Sequence, residues 1–278
     1  MFSRLLVGLD GSAGADAALD AAIALGTRFH ATIVLAAIAD ARLLDAPLLG
    51  TTSGLWTEGL QMPTDTRPLT EALDQRCLQL LADAAARVAE ADLALEEVRT
   101  AGLVEDELLK LAERAEALVV GRRGEMHRER GTIGAVTARL IKQAACPVVV
   151  AGEQPSVFER PLVAFDGGET SSAALALAAS YAETGHLPLD VVHVSGSGPE
   201  GDAVTAQAES FLAATSVHHQ VRRLEGDIVP TVTAYALGSR ADVLLVGAHG
   251  GRRRRGWPLG SRAEQIIRAT PIPVIVVR

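Results

Sequence analysis

The chain has 278 residues, 48% hydrophobic and 22% charged, which excludes a disordered chain and leaves room for one large domain or two of about 140 residues. Aromatic residues make up 3%, so the core must be aliphatic, and 26 Lys and Arg against 34 Asp and Glu give a formal net charge of -8, which speaks against a chain that coats nucleic acid or an anionic membrane. Cys77 and Cys146 are too few for a disulfide framework or a Cys-based zinc site and fit a reducing cytosol, while no apolar run is long enough for a signal peptide or for the ~20 residues of a membrane span.

The pattern alternates strand and helix along the chain. Leu5 to Leu9 is a continuous apolar run, as expected of a strand buried on both faces. An Ala/Leu helix follows over 12–28, with Ser12 as its N-cap. Thr32 to Ile38 is a second strand, and Leu69 to Asp92 a long amphipathic helix. Glu96 to Thr100 is a more charged strand, expected near an edge. A helix over 104–115, a strand over 117–120, a helix over 133–144 and a strand over 148–151 complete the series. The remainder repeats it, with strands at 162–165, 189–194, 220–224, 243–246 and 274–277 and helices at 170–184, 201–215, 229–239 and 260–269. Such alternation predicts parallel sheets with helices on both faces.

The chain repeats itself. The run from Arg4 to Asp10-Gly11 matches that from Arg160 to Asp166-Gly167 at an offset of 156. The segment Ala115 to Gly124 matches Ala241 to Gly250, and Ala145 to Gly152 matches Pro271 to Arg278, both at an offset of 126. The halves therefore read as residues 1–152 and 160–278, with an insert near 39–68 in the first. The insert, which contains Trp56 and Met62, reads either as a lid or as a surface loop.

Each half carries a glycine loop after its fourth strand. In the second half it is Gly247-x2-Gly250-x9-Gly260-Ser261, and in the first Gly121-x2-Gly124-x9-Gly134-Ala135. Glycines let backbone N–H groups approach a phosphate, and the helix that follows offers unpaired N–H groups at its start. Glycines kept for packing alone are the competing reading. Asp10 and Asp166 each end a first strand, where open α/β sheets bind ligands. Capping of the following turn is the alternative for both.

With these residues in view, the chain resembles the universal stress protein family, as a tandem of two such domains. The likeness rests on Asp10-Gly-Ser, Asp166-Gly-Gly, the two glycine loops, and the endings Cys146-Pro-Val-Val-Val and Ile272-Pro-Val-Ile-Val-Val, and it covers the chain except about 40–66. The resemblance implies two tandem open parallel-sheet α/β domains, five strands each in the order 3-2-1-4-5 with helices on both faces. It also implies ATP, alone or with Mg²⁺, as ligand. Gly247, Gly250, Gly260 and Ser261 would hold phosphates and ribose, Asp166 would meet the ribose or adenine end, and Val194, in the His193-Val194 pair that closes the second strand, would lie against the adenine. Asp10, Gly121, Gly124 and Gly134 would be the counterparts in the first half. That half departs from the pattern: Ala135 lacks the hydroxyl, Thr132 is at the wrong spacing, and Ala36-Ala37 is read in place of His-Val, so its site is expected to be weak or lost. Family homodimers imply that the halves form a pseudo-dimer through their last strands, with a homodimer of the whole chain left open.

Other signals carry less. Arg252 to Arg255 in the second spacer, and Arg122, Arg123, Arg128 and Arg130 in the first, read either as triphosphate contacts or as solvated loop residues. His218-His219 would point to opposite faces of a strand and make a poor metal pair, and the metal content is left unknown. The chain has no G-x4-G-K-(S/T) loop, no H-E-x-x-H and no G-x-S-x-G elbow. The expectation is a cytoplasmic adenine-nucleotide-binding stress-response switch, not an enzyme, without nucleic-acid or membrane partners. A slow ATPase or nucleotidyl-transfer enzyme and an interaction scaffold without nucleotide are the rivals.

Overall fold

A computed structural model of the chain describes residues 2–43, 67–124, 133–196, 199–249 and 261–278, with Ser261 described by its backbone only. Most of the expected insert, including Trp56 and Met62, lies outside the described residues, as do Gly250, Gly260, Arg128, Arg130, Thr132 and Arg252 to Arg255. The first half runs β1 (Arg4–Leu9), α1 (Ala13–Phe29), β2 (Thr32–Asp40), α2 (Arg67–Glu90), β3 (Leu95–Gly102), α3 (Val104–Ala112), β4 (Ala117–Val120), α4 (Ala135–Gln143) and β5 (Val148–Val150). The second half runs β6 (Pro161–Ala164), α5 (Glu169–Gly185), β7 (Leu189–Val194), α6 (Pro199–Leu212), β8 (His219–Leu224), α7 (Ile228–Gly238), β9 (Val243–Gly247), α8 (Ser261–Ala269) and β10 (Val274–Val277).

The strands form one sheet in the order β3-β2-β1-β4-β5-β10-β9-β6-β7-β8. Each half is therefore a parallel 3-2-1-4-5 unit, and the two meet where β5 and β10 pair antiparallel, with Val148 opposite Val276, Val149 opposite Ile275 and Val150 opposite Val274. An apolar edge strand left open invites pairing, and here each half covers the other's. The central strands β4, β5, β9 and β10 are buried along nearly their whole length, which explains why they read as unbroken apolar runs. β3 ends the sheet on one side, with Glu96, Glu97 and Arg99 exposed.

Local signals set the helix ends. The Ser12 side chain accepts from the Ala15 N–H at 3.1 Å and starts α1. Both α1 and α5 end on a left-handed histidine, His30 (φ 55°) and His186 (φ 54°), a further correspondence between the halves. α3 stops at Ala112 rather than at 115, and α4 begins at Ala135 because Gly134 is its extended N-cap.

One face of the sheet is covered by α1, α2, α5 and α6 and carries a core that spans both halves. Three of the scarce aromatics, Phe2, Phe29 and Tyr181, meet there edge to face with ring centres 4.8–6.0 Å apart. The buried Tyr181 hydroxyl donates to the Phe158 carbonyl at 2.6 Å. The other face is covered by α3, α4, α7 and α8. No described helix is long and apolar enough to cross a membrane.

Burial also makes the fold sensitive to alkali. It pushes the Cys146 thiol from 9.0 up to about 11, and shifts Cys77 and Tyr181 upward as well. The folded chain keeps these protons at a pH where the unfolded chain has released them. Their contribution to stability is therefore full below the unfolded thiol range and is lost as pH rises through about 9 toward 11. The urea midpoint is expected to fall between pH 8 and about pH 10.5. A flat profile over that range would contradict the assignment.

Candidate functional site

In each half the first strand lies between the second and the fourth, so strand order reverses beside it and a crevice opens at the C-terminal strand ends. In the second half Asp166 follows β6 and begins a tight turn in which Gly167 takes a positive φ of 77°, a conformation that favours glycine. Its Oδ1 accepts from the Gly168 N–H at 2.9 Å and from the Ser171 hydroxyl at 2.6 Å. Asp166 therefore caps its turn, as one of the two sequence readings required, and also faces the crevice.

Gly247 ends β9. A Cβ there would stand 2.5 Å from Thr170 Oγ1 and 2.7 Å from the Ser171 nitrogen. The first turn of α5 thus demands glycine at this position whatever the ligand. The Thr170 hydroxyl donates to the His249 carbonyl at 2.6 Å and ties the start of the glycine loop to that turn. His193 is buried, and its Nδ1 lies 2.8 Å from the Phe165 carbonyl. A carbonyl only accepts, so Nδ1 carries the proton and the ring braces the end of β7 against β6.

Of the residues expected at the second site, Asp166, Val194 and Gly247 line one cavity, together with Val232 of α7 and Arg262 and Ile266 of α8. The start of α8 faces the same space. The sequence reading did not single out Val232, Arg262 or Ile266. Their apolar members follow helical spacing and are indistinguishable in sequence from core. The cavity measures about 70 Å³. A cavity of ~150 Å³ is enough for benzene, so the space between these described side chains is smaller than a base.

The first half gathers its expected residues differently. Asp10 Oδ1 accepts from the Ser12 N–H at 2.9 Å. A Cβ on Gly124 would lie 2.6 Å from Asp10 Oδ2, and one on Gly121 only 2.4 Å from the Gly14 carbonyl carbon. The Gly134 N–H donates to the Arg122 carbonyl at 2.8 Å. Asp10, Gly121, Gly124 and Gly134 are thus brought together, but packed on one another or on the adjoining turns. The buried Thr137 hydroxyl donates to the Gly121 carbonyl at 2.8 Å.

Two sequence readings are corrected by the structure. Gly8 pairs with Ala36 as Ala164 pairs with Val192, so the counterpart of His193-Val194 is Ala37-Ile38, not Ala36-Ala37. Ile38 therefore stands where Val194 does, and apolar contact at that position is not thinned. Arg122 is not a free, solvated loop residue. Its guanidinium donates to the Ala151 carbonyl (3.2 Å) in its own half and, across the seam between the halves, to the carbonyls of Ile272 (3.2 Å) and Thr270. Burial holds its pKa below the usual arginine value. His219 bonds to the Val217 carbonyl and to Glu209, and the described residues contain no group of three His, Cys, Asp or Glu able to hold a metal.

The arrangement defines a class: two open α/β units sharing one sheet, each with a crevice at its topological switch point. The model of the universal stress protein family matches residues 1–152 and again 158–278, and the chain belongs to that family, as a tandem of two such units. It is similar to a universal stress protein of Synechocystis sp., 30% identical over 166 residues that cover 59% of this chain and 58% of that one. A universal stress protein of Mycobacterium tuberculosis is 29% identical over 190 residues, covering 62% of this chain and 64% of that one. The chain thus spans about three-fifths of the length of the curated relatives it matches. Among solved structures, a universal stress protein of Archaeoglobus fulgidus superposes with a TM-score of 0.76 at 20% identity, covering 99% of this chain and 96% of that one. A functionally unknown protein of Pseudomonas aeruginosa gives 0.64 at 14% identity, covering 99% and 92%. At such identity the likeness speaks of fold alone.

Proposed function

We propose that the second half binds an adenine nucleotide, ATP foremost, and that occupancy of this site serves a cytoplasmic stress response as a signal rather than for turnover. The observation that carries the reading is the cavity at the ends of β6, β7 and β9, which joins an acid, Asp166, an aliphatic wall at Val194, Val232 and Ile266, and a helix start beside Arg262. In a chain with 3% aromatics, the base would be gripped by aliphatic contacts instead of ring stacking. Asp166 would accept from sugar hydroxyls. The α8 N-terminus, with Ser261, Arg262 and the glycine loop, would take the phosphates. ATP, alone or with Mg²⁺, would supply a polyanion for the N–H groups at the start of α8 and for Arg262. In the first half, Ala135 in place of a hydroxyl and the packed glycines favour a weak or lost site.

The test begins by denaturing purified protein and identifying any released nucleotide, then titrating ATP by calorimetry. One equivalent is expected. Asp166→Ala should weaken binding by roughly 10- to 100-fold, the usual loss for a hydrogen bond to a charged group. Absence of both released nucleotide and binding heat would sink the reading and leave an interaction scaffold. Metal-dependent turnover lost in Asp166→Ala would move the protein among the enzymes.

A further inference from the structure

We infer that the first-half crevice is held shut by an ionic clamp, formed by Asp40, Arg42, Glu105, Asp106 and Arg139, three of which, Glu105, Asp106 and Arg139, are matched by uncharged residues in the second half. Asp40 ends β2, Glu105 and Asp106 stand in the first turn of α3, and Arg139 lies midway along α4. Their equivalents in the second half, β7, α7 and α8, line the cavity described above.

Arg139 reaches both helix-α3 acids, with Nη1 at 3.0 Å from Glu105 Oε1 and Nη2 at 2.6 Å from Asp106 Oδ1. Arg42 bridges the remaining gap, with Nη2 at 2.8 Å from Asp40 Oδ2 and 3.3 Å from Glu105 Oε2. The Glu105 side chain is only 12% exposed, and its Oε2 is buried without a hydrogen bond. Arg42 is thus the charge that compensates that oxygen. A half-buried lattice with a shared carboxylate is held more tightly than isolated surface pairs, whose contribution is small and easily screened.

The second half shows what the clamp replaces. The turns before α3 and α7 correspond through Gly102 and Gly226, which both have positive φ, and this sets Glu105 against Val229 and Asp106 against Pro230. The glycine-loop offset sets Arg139 against Gln265. Glu105, Asp106 and Arg139 thus correspond to uncharged residues in the second half. A second contact acts in the same direction. Leu108 of α3 sits 3.2 Å from where a Cβ on Gly8 would be, so α3 lies close upon β1. At the matching place Ala164 carries its methyl group and lines the open cavity.

The clamp is testable without a ligand, by amide hydrogen exchange on the full chain. Arg139→Gln is expected to speed exchange across residues 104–112 by about tenfold, and to leave residues 228–238 unchanged. Arg42→Gln, at a more exposed position, gives the same direction if the first variant folds poorly. Unchanged exchange over 104–112 in both variants overturns the clamp.

A second arm rests on the nucleotide reading of the second half. Wild type should take up one equivalent of ATP, Ala135→Ser alone one, and Arg42→Gln/Arg139→Gln/Ala135→Ser two. Faster exchange with uptake still at one equivalent overturns the gating role. A wild type that takes up none overturns the nucleotide reading instead, and the exchange data then decide the clamp on their own.

Discussion

Gly121→Val is expected to destabilise the fold by more than ~4 kcal/mol, in the exceptional range for a single substitution. The added Cβ would lie 2.4 Å from the carbonyl carbon of Gly14 and 2.5 Å from its oxygen. Both obstacles are backbone, so no side chain can swing aside. Gly14 is as tightly placed in return, because a Cβ on it would stand 2.1 Å from the Arg123 oxygen. The loop and the first turn of α1 approach each other glycine to glycine, and any side chain must push α1 off β4. Ordinary overpacking costs ~1–3 kcal/mol when neighbours can adjust, and here they cannot. Urea unfolding followed by far-UV circular dichroism measures the loss. A midpoint equal to wild type would mean that glycine is kept at 121 for a ligand and not for packing, which is the choice the sequence left open.

Ile275→Ala should cost ~2–5 kcal/mol, and Ile275→Asp should exceed the whole stability of the chain. Ile275 is fully buried, opposite Val149 across the antiparallel seam and opposite Leu245 within its own half. A truncated side chain leaves a cavity between the two units, and an aspartate there has no partner to compensate its charge. Because the sheet is continuous through the seam, the alanine variant is expected to unfold in one transition with a lowered midpoint. Two separate transitions, with only the second-half signal shifted, would show that the seam does not couple the halves.

The strands that were plain in sequence were those buried on both faces. Val148 to Val150 and Val274 to Val277 have no polar residue, and burial on both sides is the physical cause. The repeat placed each glycine loop after a fourth strand, and the family likeness supplied the sheet order. The phase of β2 was not legible, because Ala36 and Ala37 are both small and leave no side chain to mark which residue faces which layer. The fate of Arg122 was hidden because its partners, the carbonyls of Thr270 and Ile272, are brought to it only by the packing of the second half. The clamp was hidden too. Asp40, Arg42, Glu105, Asp106 and Arg139 are ordinary surface charges until β2, α3 and α4 converge. Nor can spacing alone separate a glycine that admits a phosphate from one that admits a neighbouring helix. Gly121 and Gly247 do the latter, and the cavity beside Gly247 leaves room for the former.

The pairing of β5 with β10 also imposes an order of assembly. When a ribosome has finished the first half, Val148 to Val150 stand as an unpaired apolar edge, and the strand that will cover them has not been made. At ordinary rates of synthesis the wait is on the order of ten seconds, far longer than a strand pair needs to form. The edge is therefore open to neighbouring nascent chains throughout that interval, and the guanidinium of Arg122 waits equally long for its carbonyls. What finally closes the sheet is its central pair of strands, so the interior of the molecule is the part completed last.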